Sequence, residues 1–438
     1  MMSTKLPEKR KRIDSTPPPR GDDDDLVRWS DLPKDILLII FRKLEDHNYN
    51  MIYRCGCVCV SWQSVVRASL LPQYLLLSNV GMFKDQESVF QYMHYHQRED
   101  YFKNIKSCVL FDLFTKRIRE ISLPGELLKG RWFTSSSSGW LLTIGIESPH
   151  EIHLVNPFCP EQKIELPNAT KIGLLSSHHS NKWRVITSTN PLDPNCIFVA
   201  VIHMDAIFPN LILAFCRRGD KYWTTIQNLR QFCCDAIFYK DYFYTIDSFG
   251  QFLAIHVKFL VPPVTYIGWP GLKSHMHCLS RMEREPYGGR SYLVEFDGNL
   301  LRVIRRTLEF SKGLEKTILQ SKMTVDFEVY KWNPTKKKWS EMIGIGNNVI
   351  LLGKCSSISI PVRPSPSSPP DHGGVVDCMR CGELKANCIY FINDVSNYTS
   401  CSPQHEAGVY NMTNHRIDWF PESWPIWTSP LNWLRPML

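Results

Sequence analysis

Residues 154–167 read LVNPFCPEQKIELP: two apolar residues, Asn156, a turn rich in proline and polar residues, a lysine, then a second alternating run. Alternation on either side of such a turn is a β-hairpin signal, and Asn suits the turn because it tolerates left-handed backbone and caps it with its side chain. The same outline recurs as LFDLFTKRIREISLP (110–124), YKWNPTKKKWSEM (330–342) and VYNMTNHRIDWF (409–420). The polar anchors are Asp112, Asn156, Asn333 and Asn411, which lie 44, 177 and 78 residues apart in chain order. Fainter turns at Asp205 and Asp247 fall between them.

A spacing in the forties, taken once, four times and twice, is what a β-propeller produces, because a blade buries its two faces only against neighbouring blades. The sequence therefore predicts a β-propeller over residues 100–438, of six to eight blades with about 40 to 50 residues each. A large β-sandwich is the competing all-β architecture and requires no period.

Outward from this region the composition changes. Residues 1–25 hold EKRKR, TPPPR and GDDDD, with too little apolar surface to offset the entropy of ordering, so a disordered charged tail is expected. Lys9, Arg10, Lys11 and Arg12 could serve as a nuclear import signal, or the run is a solvated tail. Residues 26–72 form a small helical module. Ser30 and Asp31 suit a helix cap, Pro33 a first turn, and LPKDILLIIFRKL (32–44) places Ile36, Ile40 and Leu44 one turn apart, widened by Leu37 and Phe41. Met51, Cys55, Val58, Cys59, Trp62 and Val66 follow at helical offsets in a second amphipathic segment, broken near Gly56. A core of that size is marginal alone, so a partner is expected to cover part of its apolar surface. Residues 73–99 read as a helical or loop linker, and 361–374 (PVRPSPSSPPDHGG) as a flexible insertion within the propeller.

The leading Leu-Pro, the apolar helix and the step Val58-Cys59-x-x-Trp62 together resemble an F-box. That likeness implies docking onto the Skp-type adaptor of an SCF ubiquitin ligase and, through it, onto the cullin and RING core. It places Leu32, Pro33, Ile36, Leu37, Ile40, Val58 and Cys59 at or beside the adaptor, and Phe41, Leu44 and Trp62 in the F-box core. SSSSGWLLTIGIESPHEIHLVNPF (135–158) is similar to the blade signature of the plant F-box-associated propellers called KIB-type, carried by Gly139, Trp140, Leu141, Asn156 and Pro157. FCRRGDKYWTTI and NCIYFINDV are similar to later blades of that family. The resemblance implies a substrate receptor whose propeller binds a target protein for ubiquitination, without catalysis of its own. A non-degradative adaptor and a catalytic propeller remain the alternatives, and no residue is assigned to target binding.

Other chemistry is weighed and set aside. The 15 cysteines are scattered, which favours reduced thiols and a cytoplasmic or nuclear setting. Cys378 and Cys381 form a lone CxxC near Cys388, Cys401 and His405, a weak zinc pattern without a second matched pair, and no metal is assigned. HEIH (150–153) lacks the helical His pair of a zinc protease, GIGNNV (344–349) lacks the third glycine of a dinucleotide loop, and SSHHSNK suggests a polar loop at His178 and His179. No cofactor is expected. The net charge of +8 comes from 51 basic and 43 acidic residues spread along the chain, so nucleic-acid binding is not expected. CIFVAVIHMDAIFPNLILAFC (196–216) is interrupted by His203, Asp205 and Pro209 and reads as two strands, not a membrane span.

Overall fold

A computed structural model describes residues 29–47, 49–56, 58–69, 74–77, 107–112, 118–128, 131–135, 139–145, 151–168, 183–203, 211–226, 233–247, 252–256, 276–280, 289–314, 317–353, 356–362, 384–392, 407–421 and 432–434. The chain divides into two units, one ending at Leu70 and one spanning Leu71–Met437.

The first unit opens with a 3-10 turn, Trp29–Asp31, followed by α1 (Lys34–His47), α2 (Tyr49–Gly56) and α3 (Val60–Ser69). Pro33 directly precedes α1, its carbonyl accepting the Leu37 amide at 3.1 Å. Gly56 ends α2, where glycine carries none of the penalty it would bring to a helix interior.

The second unit is a β-propeller of six sheets among the described residues. The first blade holds β1 (Tyr74–Leu77), β2 (Ser107–Asp112) and β3 (Ile118–Ser122), the second β4 (Arg131–Ser135), β5 (Leu141–Gly145), β6 (Ile152–Val155) and β7 (Lys163–Leu166). A short helix, α4 (Gly125–Leu128), links the two. The third holds β8 (Trp183–Thr187), β9 (Ile197–His203), β10 (Leu211–Arg217) and β11 (Thr224–Ile226), the fourth β12 (Cys233–Tyr239), β13 (Tyr242–Asp247), β14 (Phe252–His256) and β15 (Met276–Ser280). The fifth holds β16 (Gly289–Phe296), β17 (Asn299–Leu314), β18 (Thr317–Asn333) and β19 (Lys338–Glu341). The sixth has five strands: β20 (Asn348–Leu352), β21 (Ile358–Pro361), β22 (Cys388–Phe391), β23 (Gly408–Asn411) and β24 (Arg416–Trp419). Its spatial order is β21-β20-β22-β23-β24, with β20 and β22 parallel and the other pairs antiparallel. The last strand, β25 (Asn432–Leu434), pairs with β1, so the two ends of the unit share the first blade and close the ring.

Closure explains the continuous apolar runs. Phe198, Ala200 and Ile202 of β9 pack with the second blade, while Ile197, Val199 and Val201 pack with the fourth. A strand buried on both faces needs no polar alternate, so IFVAVI is apolar throughout. Equivalent clusters join the fourth blade to the fifth, the fifth to the sixth, and the sixth to Phe111 in the first.

All four anchors lie in one place, at the end of the strand next to the outermost strand of a blade. Asn156 Oδ1 accepts the Phe158 amide at 3.1 Å, Asn333 Oδ1 the Lys336 amide at 2.9 Å, and Asn411 Oδ1 the Thr413 amide at 2.8 Å. The count of repeats differs from the sequence period. Three blades, not four repeats, separate Asn156 from Asn333, and a single blade separates Asn333 from Asn411. The third-blade turn is held instead by Asp220, whose Oδ2 accepts the Arg217 amide at 2.8 Å. Asp247 ends a second strand, and Asp205 lies outside the described residues.

Two insertions stretch the period. Thr307–Leu314 and Thr317–Thr324 pair only with each other among the described residues, prolonging β17 and β18 beyond their blade, and β20 adds an extra strand to the sixth. Tyr74–Leu77, expected within a linker, is a propeller strand, and residues 78–99 lie outside the described set. The tail 1–25 and most of the insertion (363–374) also lie outside it. No helix among the described residues is long and apolar enough to cross a membrane.

Candidate interaction sites

In the helical unit, α1 divides its apolar residues between two faces. Leu37 and Phe41 are fully buried and Leu44 is half-buried, one turn apart on the inner face. Trp62 joins the pieces: its ring meets Phe41 edge-on at 5.2 Å and Trp29 at 6.5 Å, and its Nε1 donates to the Trp29 carbonyl at 3.0 Å. Leu37 is therefore a core residue, which corrects its assignment to the adaptor surface. The period misled because Leu37 and Ile40 sit on adjoining stripes about 60° apart.

The outer face carries Ile36 (44% exposed) and Ile39 (54%), with Ile40 half-buried beside them. Leu32 is half-buried and Pro33 exposed at the helix start. After α2, Val58 is 64% and Val60 82% exposed, Cys59 is half-buried, and Met51 is also exposed. Six of the eleven large hydrophobics exposed among the described residues thus fall between Trp29 and Val60. Ile39, Met51 and Val60 were missed from sequence, although Ile39 lies three residues from Ile36 on the same face. Burial pushes the Cys55 thiol above its ordinary range, consistent with a packing role.

In the propeller, the edge strands β8, β12 and β16 of three successive blades meet at Asp235. Its Oδ1 pairs with Arg184 Nη2 at 2.6 Å and accepts the Ala236 amide at 2.9 Å, while Oδ2 accepts the Leu293 amide at 2.8 Å. Above it opens a cavity of about 540 Å³, lined also by Glu295, Asp297 and, from the sixth blade, Ser356 to Ser359. The sequence carried no signal for this cavity, since its walls come from four separate blades.

The other sequence candidates separate plainly. Cys388 is buried in β22 and its thiol is pushed up to about 11 by burial, while Cys378, Cys381, Cys401 and His405 lie outside the described residues. No group of metal-ligating side chains occurs among the described residues. His153 sits in β6, and His150, His178 and His179 lie outside the described set. Gly344–Asn347 lies between β19 and β20, and Asn348 and Val349 open β20, a strand where a dinucleotide loop would open a helix. Gly139 adopts φ 73° and Trp140 and Leu141 are buried beside it, giving these three residues a folding role.

Comparison with known proteins gives two family matches: the KIB1-4 beta-propeller over residues 110–411 and an F-box-like module over 29–76. A protein of Arabidopsis thaliana named as an F-box protein is 21% identical over 420 residues, covering 92% of this chain and 97% of its own. The F-box protein SKIP23 of the same plant is 22% identical over 370 residues, covering 76% of this chain and 80% of its own.

Proposed function

The chain belongs to the plant F-box proteins with a C-terminal KIB1-4 β-propeller, and from that premise we propose that it is the substrate-recognition subunit of an SCF-type ubiquitin ligase. The observation that carries this reading is the coincidence of the F-box-like match with the exposed apolar residues of the same short module. Ile36, Ile39, Val58 and Val60 are the exposed apolar residues that a Skp-type adaptor would cover, with Leu32, Pro33, Ile40 and Cys59 proposed to lie beside them. The propeller captures the target.

In this reading the contribution is proximity. Holding a target lysine near a ubiquitin-loaded enzyme raises its effective concentration, and the bond-making chemistry resides in the partners. The run Lys9–Arg12 is proposed to direct nuclear import, tested by comparing the location of fluorescent fusions with and without residues 1–25.

Affinity purification of the intact chain beside its Leu32→Ala/Pro33→Ala variant tests the ligase reading. Loss of the Skp-type adaptor and cullin from the variant, with other partners retained, is expected. If the intact chain carries no adaptor, the reading falls.

A further inference from the structure

We propose that the cavity above Asp235 receives an arginine side chain from a basic segment of the protein that the propeller captures. This rests on the propeller being the capturing part, and it adds the chemistry of what is captured.

The cavity lies where β8, β12, β16 and β21 face one another, and it holds about 540 Å³, more than one side chain occupies. Its floor is electrostatically settled, because both oxygens of Asp235 are engaged by Arg184 and by two backbone amides. Its rim is different. Glu295 and Asp297 project from the end of β16 with exposed side chains. The Glu295 carboxylate has no hydrogen-bond or ion-pair partner among the described residues, and Asp297 has only a 3.5 Å approach from Asn348.

Among the described residues, the rest of the lining includes hydroxyls, from Ser188, Thr189, Ser356 and Ser357, and contains no Lys, Arg or His. That is notable in a chain whose net charge is +8. The two carboxylates disfavour an anion, and an apolar plug would offer them no replacement for the water it displaced. A cation rich in donors satisfies both. A divalent metal is a poorer occupant, since no cluster of three ligating side chains exists among the described residues. A guanidinium suits the rim better than an ammonium, because it is weakly hydrated and presents five planar donors to carboxylate and hydroxyl oxygens. The corner is also pre-set: Ser359 Oγ donates to the Glu295 carbonyl at 2.6 Å, tying the fifth and sixth blades beside the carboxylate.

The test uses the full chain and a fluorescein-labelled Gly/Ser nonapeptide carrying two arginines, with lysine and citrulline versions, read by fluorescence anisotropy. Citrulline keeps the shape and removes the charge. The arginine peptide is expected to bind saturably, the lysine peptide more weakly, and the citrulline peptide at least about tenfold more weakly. The Glu295→Gln/Asp297→Asn variant should lose about tenfold or more while melting like the parent. Asparagine is chosen because residue 297 adopts φ 45°, which Asn accepts. An Asp241→Asn variant, changing an exposed carboxylate outside the cavity lining, should bind as the parent does. The proposal is overturned by equal binding of the arginine and citrulline peptides, by an unchanged double variant, by an equal loss in Asp241→Asn, or by no saturation up to about 1 mM. Adaptor binding is measured on the same samples. Peptide loss with adaptor retained concerns the cavity alone, whereas absence of adaptor from the parent overturns the receptor reading and leaves the cavity result standing.

Discussion

Arg184 and Asp235 meet at 2.6 Å between neighbouring blades, with side chains 5% and 3% exposed, and Asp235 binds the third strand in line through the Leu293 amide. One carboxylate therefore ties three blades where side-chain packing gives way to a cavity. Removing one partner of a buried pair leaves the other charge uncompensated, so Asp235→Ala should cost about 3–5 kcal/mol. The midpoint of urea unfolding, followed by β-type circular dichroism, reads this. An unchanged midpoint would mean that Arg184 is solvated by other means.

The two faces of α1 should respond oppositely. Phe41→Ala empties a fully buried site beside Trp62 and should destabilise the helical unit by about 3–5 kcal/mol. Ile39→Asp alters an exposed side chain and should shift stability by no more than about 0.5 kcal/mol while weakening adaptor binding. Thermal unfolding and adaptor affinity, measured on both, separate packing from docking. Loss of fold in Ile39→Asp would place that face inside the core.

How much of this was legible in sequence depends on whether a feature is local. Asn156, Asn333 and Asn411 announce their hairpins because each caps a turn within three residues of itself. The two helical faces were legible as amphipathic pattern, but the choice between Leu37 and Ile39 was not, since it depends on where Trp62 packs. Blade number was obscured by the prolonged β17–β18 pair and by β20, which lengthen repeats without leaving a mark on the turn pattern. The cavity was invisible because Asp235, Glu295 and Ser357 are brought together only by closure of the ring.

Gly408 illustrates a constraint of close approach. A Cβ placed there would stand 2.7 Å from the Asp418 carbonyl oxygen, a backbone atom of the neighbouring strand that cannot turn aside. Gly408→Ala should push β24 away from β23 and cost about 1–3 kcal/mol. Gly125, at the first position of α4 with nothing within 4 Å of its added Cβ, is the control. Its replacement by Ala should be neutral or stabilising by up to about 1 kcal/mol, so equal losses at both positions would refute the steric account.

His153 gives the propeller a pH dependence of predictable sign. It lies in β6 opposite Thr143 and Glu165, and its Nδ1 has no hydrogen-bond partner among the described residues. Burial lowers its pKa from 6.5 to about 4, assisted by the positive charges of Arg131 and Lys163 and opposed by Glu165 and Glu151. Unfolded, the imidazole takes its proton near 6.5; folded, it resists until about 4. Between these values the unfolded chain binds more protons, so the neutral histidine's contribution is complete above the upper value and declines as pH falls toward the lower one. Between about pH 7.5 and about pH 4.5 the loss should be on the order of 2 kcal/mol, after allowance for partial exposure. Carboxylates titrate over part of the same range, and His153→Gln removes the imidazole while leaving them in place. Urea midpoints at several pH values should therefore fall more steeply for the parent than for His153→Gln, and parallel curves would show that the imidazole is already solvated in the folded blade.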